Sequence, residues 1–294
     1  MSIICATNQK LNLGASKCNK LPSLFAGMIT TPAGFSIPVA TLSNPAALRT
    51  LLQNAIIDGI ANRVYLWPSF AAVESASEES IYEDTALTDI AVRQGKYRWR
   101  VHISKNLCLH RAMFSHSGSG DRAIFFDMNN NFFMTELANG NGAGFRISLL
   151  NVEKLLIGDG SVATKTPVYI VLKNSHEIDN GGLMVPAEFV NELIPLSDVS
   201  ITLSNVVATS MVATAQVACD GTPVSGLVLA DFIVQTNAGA LQNPTAVTET
   251  GGSGSGVYTL ARTGSFTSGN VRLRPASQLS VVGFEGVTPV SFTI

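Results

Sequence analysis

The sequence is poor in charge and in aromatic residues. Charged residues make up 14% and aromatic residues 7% of the 294 residues, whereas about 25% of the residues in a typical soluble domain are charged. A surface with few charges is weakly solvated. Such a surface is tolerable if much of it is buried against other copies of the chain or against a partner. The apolar fraction of 46% is large enough for a sizeable core. The composition therefore favours a self-associating protein.

The chain has no excess of basic residues and no long apolar run. Its net charge is −2 and its pI is about 6.1. These values argue against specific binding to nucleic-acid phosphates but allow non-specific contact with passing DNA. No stretch approaches the roughly 18 apolar residues of a membrane-spanning helix. The N-terminus also lacks a basic segment followed by an apolar run. We therefore expect a protein made in the cytoplasm and not inserted into a membrane.

Cysteine is scarce. Cys5, Cys18, Cys108 and Cys219 form no C-x-x-C pair. Cys5 and Cys18 are near enough in sequence to bridge, but a cytoplasmic origin favours free thiols.

Motifs for metal binding are missing as well. The four histidines, His102, His110, His116 and His176, do not have the spacing of metal ligands. His110 and His116 are six residues apart, and Cys108 is expected to lie between a strand and a loop. An acidic run lacks the spacing of a calcium loop and is expected to be solvated: Glu78, Glu79, Glu83, Asp84 and Asp89. A second hypothesis is that this run meets a basic patch on a neighbouring copy, formed by Arg93, Lys96, Arg98 and Arg100.

Two loops resemble catalytic or phosphate-binding motifs only superficially. Ser115–Gly120 places Ser beside His but lacks the strand–turn–helix context of a nucleophile elbow. Gly140–Gly144 is not followed by the Lys-Ser/Thr pair of a phosphate loop. The sequence therefore predicts no enzyme, with no catalytic, cofactor-binding or metal-binding residues.

The N-terminal two thirds predict β-structure with one helix. Asn44 as N-cap, Pro45 at the first helical position and Gly59 as a stop predict a helix over about 44–58. Its apolar residues recur at helical spacing on one face: Leu48, Leu51, Leu52, Ala55 and Ile56. Such a helix needs an apolar surface to pack on, and a sheet is the natural one.

Alternating residues predict strands in the same region. Lys96–Ile103 places Tyr97, Trp99, Val101 and Ile103 on one face and Arg98, Arg100 and His102 on the other. Ala123–Asp127, three asparagines and Phe132–Met134 predict a strand, a turn and a second strand. Phe145–Leu149 and Thr166–Leu172 predict further strands, and Pro186–Leu193 is either a short helix or a last strand. The expected body is a β-sandwich or barrel with one packed helix.

The composition changes at Pro195. From Leu196 onward there is no Lys, His or Trp, and short Val/Thr-rich runs alternate with turn signals. This pattern is typical of a β-sandwich of about 100 residues. We therefore predict two domains, a β-rich assembly domain over 1–195 and an immunoglobulin-like domain over 196–294.

Three segments in order resemble bacterial immunoglobulin-like domains of the invasin and intimin kind. A strand from Ala213 runs into Asp220–Gly226 (D-G-T-P-V-S-G), Gly251–Gly256 leads into Val257–Leu260, and Thr263–Leu273 resembles a final hairpin. The Cys…Trp…Cys framework of antibody domains is absent. Tyr258 is the aromatic residue expected between the sheets, with Phe232 and Phe292.

The pairing of a β-rich body with one such domain is similar to tail tube proteins of long-tailed bacteriophages. That resemblance implies a virion protein without enzymatic activity, whose body closes rings, expected to be hexameric, that stack into a tube. It also implies contacts with other virion proteins and an outward immunoglobulin-like domain that contacts host-surface or mucus glycans through residues 199–294. Two alternatives stay open: another virion part, such as a head decoration or neck protein, and a surface adhesion or carbohydrate-binding protein.

Overall fold

The computed structural model describes residues 22–294 except 85–88, 94, 119–120, 160, 162, 253 and 287, and gives no side chains for 82–93. The described chain divides into two compact units. The first ends at Leu193, and the second comprises Ile56–Gly59 and Ile194–Ile294. The change in composition after Pro195 lies within two residues of this division.

The first unit is mainly β. Its helices are α1 (Val39–Leu42), α2 (Pro45–Ile56, of which only the last residue is grouped with the second unit), α3 (Leu107–Phe114) and α4 (His176–Asp179). Its strands are β1 (Phe25–Thr31), β2 (Tyr65–Leu66), β3 (Ala72–Ser75), β4 (Ile81–Asp84), β5 (Asp89–Arg93), β6 (Arg98–Ile103), β7 (Arg122–Asp127), β8 (Asn131–Glu136), β9 (Gly142–Ala143), β10 (Phe145–Val152), β11 (Thr166–Leu172) and β12 (Gly182–Pro186).

Strand β10 joins two groups of strands in this body, one that contains β7 and one that contains β11. The main sheet runs in the order β12-β8-β7-β10-β11-β6-β3, with β1 also paired to β7. At its start β10 pairs with β7 through Phe145 and Arg146, and further along it pairs with β11 from Ile147 to Val152. Side chains from both groups enter one core that includes Met28, Phe125, Phe145, Val101 and Ile170. The body is therefore of the predicted β-sandwich type.

The alternation in β6 is confirmed. Val101 and Ile103 lie in the core, and Tyr97 and Trp99 pack against it. The opposite face carries the three charged or titratable side chains of the strand, Arg98, Arg100 and His102, each of which is paired with a glutamate.

Helix α2 begins as its sequence predicts and ends slightly earlier. Asn44 caps it, because its Oδ1 accepts a hydrogen bond from the backbone N–H of Ala47 at 3.2 Å. Leu48, Leu52 and Ile56 are buried on the predicted face, while Leu51 and Ala55 are half-buried. The helix ends at Ile56, before Gly59.

Helix α3 corrects the prediction that Cys108 lies between a strand and a loop. Asn106 caps the helix by accepting from the Leu109 N–H at 2.9 Å. Among its residues only Met113 is buried, so no apolar stripe at helical spacing marks it in the sequence. The region Pro186–Leu193 forms a 3₁₀ turn at Glu188–Glu192.

The turn between β7 and β8 is organised by a buried carboxylate. Asp127 is fully buried, and its Oδ1 accepts from the backbone N–H groups of Asn129 (3.0 Å) and Asn131 (2.9 Å). Its Oδ2 accepts from the Ser23 N–H at 3.2 Å. Burial raises the pKa of Asp127, but these hydrogen bonds outweigh burial and hold the pKa below its ordinary value. Asn130 supports the tight turn with a φ of 56°.

The lowered pKa of Asp127 makes the stability of the first unit sensitive to acid. Its contribution is complete above the ordinary pKa of 3.8 and is lost as the pH falls through the lower native pKa. We expect Asp127→Asn to weaken the loss of unfolding free energy between about pH 6 and about pH 3, measured by urea denaturation. Asp159→Asn, at an exposed position, is the matched control. An unchanged acid dependence in Asp127→Asn would contradict this assignment.

The second unit is a β-sandwich of two sheets that share one core. Its strands are β13 (Ser197–Val207), β14 (Ser210–Val217), β15 (Phe232–Thr236), β16 (Ala246–Thr250), β17 (Val257–Ala261), β18 (Gly269–Leu273), β19 (Phe284–Glu285) and β20 (Val290–Phe292). One sheet has the order β16-β17-β14-β13-β19, and the other has the order β15-β18-β20. Apart from the short β19, this is the order of strands D-E-B-A and C-F-G in constant-type immunoglobulin domains.

The core of the second unit contains the predicted aromatic residues. Phe232, Tyr258 and Phe292 are buried, and the Phe232 and Tyr258 rings lie 5.4 Å apart. The Tyr258 hydroxyl donates to the Val224 carbonyl at 2.8 Å and accepts from the Leu227 N–H at 3.2 Å. Tyr258 therefore fixes the connection between β14 and β15 from inside the sandwich.

The predicted final hairpin over Thr263–Leu273 is wrong. Within this range the only strand is β18, which pairs with β15 and β20. The preceding strand β17 belongs to the other sheet, so the connection crosses from one sheet to the other. The two sheets share one core, and sequence spacing alone does not distinguish a crossing connection from a hairpin loop.

Candidate functional site

A row of ion pairs covers the polar face of β6. Arg98 Nη1 lies 2.6 Å from Glu78 Oε1, and Arg100 Nη2 lies 2.6 Å from Glu153 Oε2. Two of the four residues of the hypothetical basic patch are thus paired within their own chain, and so is Glu78 of the acidic run. The side chain of Arg93 lies outside the described residues. Lys96, the fourth residue of the hypothetical patch, is exposed.

Most of the acidic run belongs to the hairpin formed by β4 and β5. In its register Glu83 faces Ile90 and Asp84 faces Asp89, so two acidic positions stand opposite each other at the end of the ladder. Like charges in directly opposed positions destabilise a hairpin. The side chains of 82–93 are outside the description, so the fate of the run beyond Glu79 stays a prediction.

The four histidines are scattered through the first unit. His102 Nε2 lies 2.9 Å from Glu74 Oε1, and this contact lowers the pKa of Glu74. His110 Nδ1 lies 3.0 Å from Thr166 Oγ1. The centroids of the His116 and Tyr65 rings are 4.4 Å apart. Among the described residues no group of three His, Cys, Asp or Glu side chains is arranged to hold a metal ion.

The Ser-His segment borders a cleft of about 200 Å³ with Asp121. Burial lowers the pKa of His116, with Asp121 opposing that effect, and burial likewise raises the pKa of Asp121. The adjacent hydroxyls are engaged in the backbone: Ser115 Oγ donates to the Ala112 carbonyl at 2.6 Å, and Ser117 Oγ accepts from the Val152 N–H at 3.0 Å. These serines hold the loop in place and are not hydrogen-bonded to His116.

A second cleft, of about 480 Å³, was not indicated by any motif. It is lined by Ala33, Asp121, Arg122, Arg146, Ile147, Ser148 and Lys173. Arg122 and Arg146 are opposite each other in the pairing of β7 with β10. The Lys173 N–H donates to the Arg146 carbonyl at 2.8 Å. Three cations distant in sequence thus converge through strand pairing, which no local pattern reveals.

Cysteine chemistry differs from the prediction. Cys108 and Cys219 are each disulfide-bonded, so the expectation of free thiols is wrong for these two. That expectation rested on a cytoplasmic origin and not on geometry. Cys5 and Cys18 lie outside the described residues.

The first unit also exposes large apolar side chains. On α3, Leu107 and Phe114 are 54% and 56% exposed, and a separation of seven residues places them on one face. In the connection between β10 and β11, Ile157 is 82% exposed. Other exposed apolar residues of this unit are Leu24, Val39, Ile60, Ile81, Met128, Leu149 and Leu156.

No helix in the described part of the chain is both long and apolar enough to span a membrane. In comparisons with known proteins, no protein family matches the chain and no curated protein is significantly similar to it.

Proposed function

We propose that the protein is a structural component of a virus particle whose first unit self-assembles. The best candidate role is a phage tail tube, in which rings of the first unit, expected to be hexameric, stack and the immunoglobulin-like unit faces outward. The observation that carries the proposal is the exposed apolar surface of the first unit. Leu107, Phe114 and Ile157 are all more than half exposed on a chain with 14% charged residues.

Association with further copies would remove these side chains from water. Burial of apolar surface contributes about 25 cal/mol per Å². Isolated exposed apolar residues are common on monomers, but here two lie on one face of α3. The ion pairs of Arg98 and Arg100 reduce the charge that approaching copies would have to desolvate.

The second unit supports a decorating role. It has its own core, and its strand order is that of an immunoglobulin-like sandwich. Many copies of a weakly binding domain on one particle gain avidity without any new contact. The disulfide bonds of Cys108 and Cys219 fit a protein that spends time outside a reducing cytoplasm, as released virus particles do.

Deletion of residues 199–294 tests this division of labour. We expect the truncated protein to form the same particles as the full chain, seen as rings or tubes by negative-stain microscopy and as the same mass per particle by light scattering. Particles without the domain should be retained less on host-surface polysaccharide or mucus. Failure of the truncated protein to assemble, while the full chain assembles, would place the domain in the building interface.

The second candidate function is adhesion or carbohydrate binding by a protein that does not build particles. It is favoured by the immunoglobulin-like sandwich alone. Dispersed monomers of the full chain, together with glycan retention that depends on residues 199–294, would support it and contradict the tail-tube proposal. Particles of another shape would instead favour a head decoration or neck protein.

A further inference from the structure

We propose that the cleft lined by Arg122, Arg146 and Lys173 binds an oxyanion of the phosphate class, either free or as a small phosphate ester. This site lies within the first unit and does not depend on the proposed function. It is defined by a buried cation, by two further cations beside it, and by the size of the cleft.

The buried cation is Arg122, which is 7% exposed. Its Nε donates to the Ala33 carbonyl at 3.1 Å, and its Nη1 donates to the Gly144 carbonyl at 2.8 Å. Both acceptors are neutral. Among the described carboxylates the only one within 4.0 Å is Glu177, whose Oε1 lies 4.0 Å from Nη1. Because a counter-ion 4.0 Å away compensates a buried charge only in part, an anion in the cleft would further stabilise this guanidinium.

Glu177 is already shared with another cation. Its Oε2 accepts from the Arg146 N–H at 2.7 Å, and its Oε1 lies 3.4 Å from Arg146 Nε. Burial lowers the pKa of Arg122, with Glu177 opposing this effect and Arg146 adding to it. The neighbouring carboxylate therefore offsets the local positive charge only in part.

The other two cations are accessible. The Arg146 side chain is 56% exposed, and Lys173 is exposed. The one carboxylate in the lining is Asp121, whose charged form is disfavoured by burial. Three cations against Asp121 and the neighbouring Glu177 still leave the cleft with a positive bias, on a chain whose net charge is −2.

These features select the class of ligand. Guanidinium groups bind phosphate oxygens through paired, charge-assisted hydrogen bonds, and a lysine adds a point charge. A volume of about 480 Å³ lies in the usual range of roughly 300–1,000 Å³ for small-molecule sites. The absence of a basic excess over the whole chain disfavours a nucleic-acid polymer, which needs an extended positive surface.

The test is a titration of the full chain with sodium phosphate, with sodium chloride adjusted to keep the ionic strength constant. We expect a saturable rise of the Tm and saturable heat in calorimetry. The double variant Arg146→Gln with Lys173→Gln should weaken the apparent affinity about tenfold or more, since two charged donors are lost. Arg122 is left intact because its replacement would disturb the buried β7–β10 junction.

The matched control is Lys105→Gln with Lys154→Gln, which removes the same charge at two exposed positions outside the cleft lining. The control should bind phosphate like the unaltered chain. Tighter binding of glucose 6-phosphate than of phosphate would identify an ester as the ligand, and weaker binding a free anion. An equal response to glucose, an equal phosphate response in the double variant, or no saturable response would each overturn the proposal.

Discussion

Replacing Leu52 by alanine is expected to lower the free energy of unfolding of the first unit by about 2–5 kcal/mol. Leu52 is 0% exposed, on the same helical face as the buried Leu48 and Ile56. The truncation removes buried methyl groups and leaves a cavity that rigid neighbours fill only in part. Because the chain has two units, the loss should appear in one of two unfolding transitions and not as a uniform shift.

The control for this change is Leu51→Ala in the same helix. Leu51 is half-buried, so the same truncation removes less contact and leaves no enclosed cavity. We expect a clearly smaller effect, measured by urea denaturation monitored by circular dichroism. Equal losses for Leu51→Ala and Leu52→Ala would mean that α2 does not bury the face that carries Leu48, Leu52 and Ile56.

Replacing Asp231 by alanine is expected to lower the unfolding free energy of the second unit by about 1–3 kcal/mol. Asp231 is 1% exposed. Its carboxylate accepts from the Val228 N–H at 2.7 Å and from the Ser280 N–H at 2.9 Å, and it also binds the Ser280 hydroxyl. Alanine leaves all three donors without this acceptor in a partly buried place, and donors that lose their partner there are costly.

Asp220→Ala is the comparison within the same unit. Asp220 is an exposed loop residue that accepts from the Thr222 N–H at 3.0 Å. Its loss should change stability little, because water replaces the carboxylate. In differential scanning calorimetry, Asp231→Ala and Leu52→Ala should lower the midpoints of different transitions. A shift of the same transition by both variants would contradict the description of two separate cores.

Elements with a strong local pattern could be read from the sequence. The cap and apolar face of α2, the alternation of β6 and the asparagine-rich turn after Asp127 each depend on residues close in sequence. The β-sandwich of the second unit was also predictable, since short Val/Thr-rich strands alternate with regular turns. Local preference and tertiary packing agree in these segments.

The remaining features depend on contacts between distant residues. Helix α3 was missed because it buries only Met113, and the crossing between β17 and β18 has the spacing of a hairpin. The cleft around Arg122 is assembled by the pairing of β7 with β10 and by the end of β11. The disulfide bonds of Cys108 and Cys219 were missed because the prediction of free thiols was based on a cytoplasmic origin and not on the positions of the cysteines in the fold.

The position of β13 has a mechanical consequence. This strand begins four residues after the end of the first unit, at Ser197, and lies between antiparallel β14 and parallel β19. The Ser197 N–H is bonded to the Gly283 carbonyl at 2.9 Å. Tension that enters along β13 therefore loads hydrogen bonds on both of its sides together, in shear, instead of opening them one at a time. The second unit is therefore expected to resist unfolding when force is applied to it through Ser197 at the start of β13.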